Sequence, residues 1–309
     1  MLRIGVIGTG SMGKNHARVC SELDNIELVG IADTNKATAK EISTKFGTKP
    51  YEEYKDLLKN VDAAIIATPT ATHFDIAMDF LNSGKHILVE KPICEKVEKA
   101  EKLVKKADDE KLVLAVGHIE RHNPVVEFIK KSLTNKKYGD LITIASKRVS
   151  NLPTRIRDVG VVFDFGVHDI DVMRYLAGEV KSVYAKAGRF NKDIKYEDHA
   201  NIVLNFENNI CGIIEVNWLT PIKIRKLFLT CSKSYIEADY INQSITDSKV
   251  NKIELEKKEP LKREIEDFVN AIEKNKQPLA SGYDGVMAIK IAEAATKSNR
   301  LRKEVNLEK

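Results

Sequence analysis

The chain has 309 residues, 43% of them apolar and 31% charged, which suits a folded protein of two domains better than a single core. Its 50 basic and 45 acidic residues leave a net charge of +5, but Lys and Glu interleave, as across residues 95–111, which argues for solvated helix faces and against a nucleic-acid footprint. No apolar run approaches the ~20 residues of a membrane span, and the opening MLRIGVIG enters a strand pattern without the regions of a signal peptide, so a cytoplasmic protein with no nucleic-acid or membrane partner is expected.

From residue 1 to about 118, short apolar runs alternate with segments of helical period. The runs RIGVIG, ELVGIAD, DAAIIAT, HILVE and LVLAVG read as strands, and Ser11–Leu23, Lys36–Phe46, His73–Leu81 and Val97–Asp108 read as the helices between them. Continuous rather than alternating strand hydrophobicity points to a parallel sheet covered on both faces, with ligands gathering beyond the strands' carboxyl ends. A helix from Pro124 to Leu133, a long strand from Asp140 to Val149, a loop from Asn151 to Val162 and a helix from Asp164 to Leu176 follow. Five alternating runs come next, and the tight connections Glu207–Asn209 and Ser232–Ser234 predict antiparallel hairpins. Helical patterns over Leu261–Glu273 and Tyr283–Arg300 close the chain.

The expected fold is therefore an α/β Rossmann domain over residues 1–120, followed over 121–309 by an α+β domain with an open-faced, largely antiparallel sheet. The last helix is free to pack back on the first domain. The uncovered face of so wide a sheet invites self-association, to a homodimer or homotetramer. Cys20, Cys94, Cys211 and Cys231 show neither CxxC pairing nor metal spacing, which predicts reduced thiols and argues against a zinc alcohol dehydrogenase mechanism.

Gly8-Thr9-Gly10-Ser11-Met12-Gly13 is a GxGxxG set that follows a predicted strand and opens a predicted helix. Gly8 makes the tight turn, Gly10 admits a pyrophosphate to the backbone, Gly13 lets helix and strand approach, and the amides at Ser11 and Met12 face the phosphate charge. Asp33 ends the next strand about twenty residues on, where a carboxylate accepts the ribose hydroxyls of NAD. A 2′-phosphate at ~4 Å would cost about 4 kcal/mol per charge pair at an intermediate dielectric, which favours NAD over NADP. Asp33 is also compatible with capping the next helix. Thr68, Pro69 and Thr70 end another strand on the expected path of the dinucleotide, Thr72 is either a contact or a helix cap, and His73 either touches the cofactor or faces solvent.

HILVE ends in Glu90-Lys91-Pro92. A lysine at that strand end is a compact cation able to hold a substrate oxygen and favour alkoxide character. A cis Lys91–Pro92 peptide is one way to aim it inward, and a Glu90–Lys91 ion pair closed by proline is the alternative reading.

Together with GxGxxG, ATPTATH and EKP, the stretch DFGVHDID at 164–171 makes the chain resemble the Gfo/Idh/MocA family of sugar and cyclitol dehydrogenases over nearly its whole length. The resemblance implies an active-site lysine, aspartate and histidine, which map to Lys91, Asp164 and His168, and a place beside the cofactor for Glu90 and Lys91. Asp164 and His168 are four apart, so a helix sets them on one face, where the carboxylate can orient an imidazole that acts as general base. A helix-start carboxylate beside a core histidine is the alternative.

GHIERHNP and the loop before Asp164 resemble a subgroup that oxidises carbon 3 of UDP-N-acetylglucosamine. The glycine pair or triplet common elsewhere in the family is replaced here by Val159-Gly160-Val161, which argues against inositol or simple glucose. Arg155 and Arg157 either fork the diphosphate or are surface charges. Arg121 and Asn123 are expected to line the sugar pocket, while Asn123-Pro124 opens a helix that keeps His118, Glu120 and His122 from gathering as metal ligands. The expected partner is a small sugar or sugar nucleotide. The alternatives are a related dehydrogenase acting on the UDP-sugar uronate, inositol or a simple sugar, or a non-catalytic NAD-bound sensor, which the retained Lys91, Asp164 and His168 disfavour.

Overall fold

The computed structural model describes residues 1–152, 159–249 and 251–307. Two compact units divide the chain: residues 1–119 with 259–286, and residues 120–258 with 287–309.

The first unit begins β1 (Leu2–Ile7), α1 (Ser11–Glu22), β2 (Ile26–Ala32), α2 (Lys36–Lys45), β3 (Lys49–Tyr51), β4 (Ala63–Ile66), α3 (Thr70–Asn82), β5 (His86–Val89), α4 (Val97–Asp109) and β6 (Leu114–Val116). The six strands form one parallel sheet in the order β3-β2-β1-β4-β5-β6. Chain direction across the sheet reverses between β1 and β4, and that switch point is where a dinucleotide lies in open α/β sheets. All four residues of β4 are buried, as a central parallel strand requires. The short edge strand β3 escapes the hydrophobic pattern because it reads Lys49-Pro50-Tyr51, and at an edge the missing N–H of Pro50 leaves no ladder bond unmade.

The second unit contains α5 (Pro124–Thr134), β7 (Leu141–Asn151), a π-turn (Val162–Gly166) running into α6 (Val167–Ala177), and then β8 (Val180–Gly188), β9 (His199–Phe206), β10 (Cys211–Asn217), β11 (Leu219–Cys231), β12 (Ser234–Asp239), β13 (Ser244–Asp247) and β14 (Lys252–Glu254). Asn123 caps α5, its side chain accepting from Val125 N, with Pro124 at the first helical position. Both expected hairpins form: β9 pairs β10 antiparallel through Asn209 at φ +63°, and Cys231 pairs Ser234 across the β11–β12 turn. The pairing of β10 with β7 is parallel, so the sheet is mixed but mostly antiparallel.

The chain closes with α7 (Pro260–Glu273), α8 (Gly282–Leu301) and β15 (Val305–Asn306), which adds to β8 at the edge of the second sheet. A single boundary at 120/121 does not describe the chain, because residues 259–286 group with the first unit. The reason is the apolar stripe of α7: Leu261, Ile265, Phe268, Val269 and Ala271 are buried in the same core as Ile4, Val6, Ala17 and Val19.

One face of the second sheet is covered by apolar side chains of α5, α6 and α8. On the other face, strand register sets Tyr184, Val203, Ile213, Ala145 and Phe228 in one transverse row, flanked by the Lys147–Glu215 and Lys226–Glu237 ion pairs. Tyr184 and Ile213 are 43% and 47% exposed in the chain alone.

Candidate active site

The glycine-rich turn shows why Gly8 and Gly13 are needed. Gly8 has φ +92°, and a Cβ on Gly13 would stand 1.9 Å from the Gly8 carbonyl oxygen. A Cβ on Gly10 would meet nothing within 4 Å, so that flank of the turn is open. No side chain caps α1 and no acidic residue occupies its first turn, which leaves the amide end around Ser11, Met12 and Gly13 to an anion. Asp33 Oδ2 accepts from Thr9 N at 2.7 Å and Thr9 Oγ1 at 2.5 Å, and Oδ1 accepts from Asn35 N at 2.8 Å. Burial opposes the carboxylate's charge, but these bonds outweigh it and hold Asp33 below its ordinary value. The cap of α2 is Asn35, whose side chain accepts from Thr38 N, so Asp33 is not that helix's N-cap. These groups fit a dinucleotide with an anionic pyrophosphate and a free ribose diol.

At the end of β4, α3 starts at Thr70, with Pro69 as its cap residue. Thr72 therefore lies inside the first turn, its hydroxyl donating to Pro69 O and Thr68 Oγ1, and it is no N-cap. His73 does not face solvent. It is buried, with Nε2 at 2.9 Å from Thr68 O and Nδ1 at 2.9 Å from Pro92 O, so one imidazole ties the end of β4 to the turn after β5. Burial lowers its proton affinity against the pull of the two carbonyls.

The turn after β5 carries Glu90 and Lys91, and the Lys91–Pro92 peptide is cis. Glu90 is buried; Oε1 lies 2.8 Å from His16 Nε2 on α1, and Oε2 accepts the Lys91 backbone N–H at 3.2 Å. Lys91 is half-buried. His16, Glu90 and Glu264 of α7 gather with one ligand atom each within 4.8 Å of the others, a set that sequence spacing does not reveal because its members come from distant positions. Glu264 is 3% exposed, and neither of its oxygens has a hydrogen-bond partner among the described residues. Burial, then the charges of Glu90 and Asp267, pushes its carboxyl well above the ordinary value.

A raised value means that the folded chain keeps a proton which the unfolded chain releases. This contribution to stability is complete below the ordinary glutamate value and is lost as pH rises toward the folded value. Glu264→Gln, which carries no titratable proton, is expected to flatten that decline. Urea unfolding of both proteins from mildly acidic to alkaline pH checks this; equal pH slopes would contradict a neutral Glu264.

In the second unit, Asp164 lies in the π-turn and His168 in the first turn of α6; Asp164 is buried and His168 half-buried. The sequence pattern predicts plain α-helix here, whereas an i→i+5 turn is what forms, a feature found mostly at functional sites. The helix is anchored by its other carboxylates. Arg148 of β7 donates Nε to Asp169 Oδ2 at 2.7 Å and Nη1 to Glu120 Oε1 at 2.9 Å, while Arg121 donates Nε and Nη2 to Asp171 at 2.8 and 2.7 Å. All five of these side chains are buried.

Both residues expected at the sugar pocket take part in this network: Arg121 is held in a buried two-bond pair with Asp171, and Asn123 caps α5 while its amide donates to Glu120 and Tyr240 O. Arg155 and Arg157 lie outside the described residues. Glu120 serves Arg148 and Asn123. Cys20, Cys94 and Cys231 are buried free thiols and Cys211 is a half-buried one, and burial pushes Cys20 and Cys94 up to about 12. No helix among the described residues is long and apolar enough to cross a membrane.

A parallel sheet in dinucleotide-binding order, a glycine turn at its switch point and a strand-end carboxylate define a dinucleotide-binding unit. Residues 2–118 match the oxidoreductase family with an NAD-binding Rossmann fold, and residues 126–237 match the GFO/IDH/MocA C-terminal domain. The chain belongs to the Gfo/Idh/MocA family, and it is an NAD-dependent oxidoreductase acting on CH–OH groups.

Among its relatives, UDP-N-acetylglucosamine 3-dehydrogenase of Acidithiobacillus ferrooxidans is 27% identical over 92% of this chain and 93% of that protein. Inositol 2-dehydrogenase of Rhizobium meliloti is 28% identical over 99% of both. The solved structure of the Acidithiobacillus enzyme superposes with a TM-score of 0.88 at 28% identity, covering 96% of this chain and 97% of that one. A probable dehydrogenase from Thermotoga maritima gives 0.89 at 26% identity over 99% of both chains.

Proposed function

We propose that this oxidoreductase oxidises carbon 3 of UDP-N-acetylglucosamine to a ketone. The reading is carried by the presence in one chain of both an EKP lysine at the end of β5 and the DFGVHDID segment that runs through the π-turn into α6, in a chain similar along its length to a UDP-N-acetylglucosamine 3-dehydrogenase. In this reading the first unit holds the cofactor through Gly8, Gly10, Ser11, Met12, Gly13, Asp33, Thr68, Pro69 and Thr70, with His73 and Glu90 supporting that surface. The second unit binds the sugar. The carboxylate of Asp33 favours NAD over NADP.

NAD, when bound, supplies the hydride acceptor. His168 takes the proton of the substrate hydroxyl as general base, and Asp164 orients the imidazole and supports its charge. The Lys91 ammonium holds the oxygen as it becomes alkoxide-like, which favours expulsion of hydride from the same carbon. The C–H bond breaks with its electron pair, the O–H proton goes to His168, and a carbonyl remains.

The test is spectrophotometric: formation of reduced cofactor, followed by the absorbance of the reduced nicotinamide ring, with UDP-N-acetylglucosamine, its uronate, myo-inositol and glucose, using NAD and NADP in parallel. The UDP-sugar with NAD is expected to give the highest kcat/KM. Turnover of myo-inositol alone would move the assignment to the cyclitol branch of the family, and silence with every substrate would favour a sensor.

The exposed apolar row on the second sheet supports a homodimer or homotetramer closed through that face. Ile213→Lys with Tyr184→Lys is expected to lower the mass measured by light scattering to that of one chain. A wild-type protein that is already monomeric would count against the assembly.

A further inference from the structure

The residue between Gly8 and Gly10 has a use that the glycine pattern does not assign. Backbone bonds tie the strand ends around it: Gly8 N donates to Ala32 O at 2.8 Å and Asp33 N to Tyr51 O at 3.1 Å, which joins the ends of β1, β2 and β3. Those bonds do not reach the side chain of Asp33. Thr9 does. Its backbone N–H and its hydroxyl both donate to Asp33 Oδ2, at 2.7 and 2.5 Å, while Asn35 N holds Oδ1 at 2.8 Å. Thr9 is buried, whereas Asp33 is only half-buried and faces the open side of the strand ends with its carboxylate already directed. An ionised carboxylate offers about four lone-pair positions, so three bonds leave a ligand a narrow choice of approach. Burial opposes the charge of Asp33, and among the bonds that outweigh it the one from the Thr9 hydroxyl counts most.

We propose that the Thr9 hydroxyl is a positioning and specificity-determining group, which holds the Asp33 carboxylate in the orientation that accepts the adenosine ribose hydroxyls and repels a 2′-phosphate. The inference rests on the reading of Asp33 as the ribose acceptor and goes beyond it by naming the group that sets the carboxylate's direction. Discrimination between a ribose and its 2′-phosphate depends on direction as well as on charge, because a carboxylate that can swing into solvent escapes the repulsion and also loses the hydroxyls. A carboxylate fixed beforehand need not be ordered when the cofactor binds, which favours affinity. The GxGxxG pattern requires no hydroxyl at its second position, so the device belongs to this turn and not to the motif.

Calorimetric titration of the full chain with NADH and with NADPH, in the absence of sugar, tests this without turnover. Thr9→Val keeps the branched shape and the backbone N–H and loses only the hydroxyl. NADH affinity is expected to fall about three- to tenfold, and NADPH affinity to fall less or to rise, so that the ratio of the two narrows. Thr9→Ser, which keeps the hydroxyl, should hold the ratio near that of the wild type. In an Asp33→Asn background, Thr9→Val should have little further effect on the ratio, because the hydroxyl acts through that carboxylate. An unchanged ratio in Thr9→Val, whether both affinities persist or both fall together, would overturn the proposal, as would a Thr9→Ser protein that behaves like Thr9→Val. A ratio that responds to Asp33→Asn but not to Thr9→Val would remove the role of Thr9 alone; one that does not respond to Asp33→Asn would remove the ribose reading of Asp33 as well.

Discussion

Lys91→Ala is expected to lower kcat by about 10²–10³-fold, the usual cost of removing one preorganised group that stabilises developing oxyanion charge. The affinity for NAD should stay close to that of the wild type, because the glycine turn and Asp33 are contributed by other strand ends. KM for the sugar should change less than kcat, since the lysine's contribution grows as the oxygen becomes an alkoxide. Lys91→Arg is not expected to restore turnover: a planar guanidinium fork does not reproduce a compact ammonium. Steady-state kinetics beside NAD titration make the comparison. A Lys91→Ala enzyme with nearly normal kcat would remove the lysine from the chemistry.

The largest loss of stability is expected at Arg148. Its guanidinium lies 1% exposed between Asp169 and Glu120, 5.4 Å above the Tyr240 ring. Arg148→Met leaves those carboxylates buried with only the more distant Arg225 to answer them, and removing one partner of such a buried pair costs about 3–5 kcal/mol. Adding Glu120→Gln and Asp169→Asn should recover much of that loss, because the penalty comes from uncompensated charge. Denaturant midpoints read both effects; a loss under about 1 kcal/mol for Arg148→Met would mean that the carboxylates find other partners or protons. Asp169 follows His168 directly on α6, so this pair also fixes the helix that carries the proposed base.

What the sequence discloses about the site is what depends on local backbone demand. Gly13 sits where a Cβ would collide with the Gly8 carbonyl, Asp33 ends the second strand, and proline follows Lys91 at a strand end; each leaves a mark in a few adjacent letters. The alternation of strands and helices likewise gives the parallel sheet, and the turn residues give the hairpins of the second sheet. What stays hidden depends on partners far apart in the chain. Glu90 meets His16 across 74 positions and Arg121 meets Asp171 across 50, so no periodicity announces either pair. This is why the sequence does not disclose the ion pair of Arg121, and why α7 reads as part of the second domain. Arg148 did leave a trace: with Ile144 and Ser146 it occupies the buried face of β7, and a charge in that register predicts a buried counter-ion. The strands β3, β13, β14 and β15 are short and mostly polar, which deprives them of a pattern.

Direct hydride removal from carbon 3 of the nucleotide sugar is tested most sharply with UDP-N-acetylglucosamine deuterated at that carbon, incubated with NAD, the reduced cofactor and the sugar being read by mass spectrometry. One deuterium is expected in the reduced nicotinamide, with a sugar that has lost it to become a ketone. Deuterium retained in unchanged sugar, or a reduced cofactor carrying none, would contradict it.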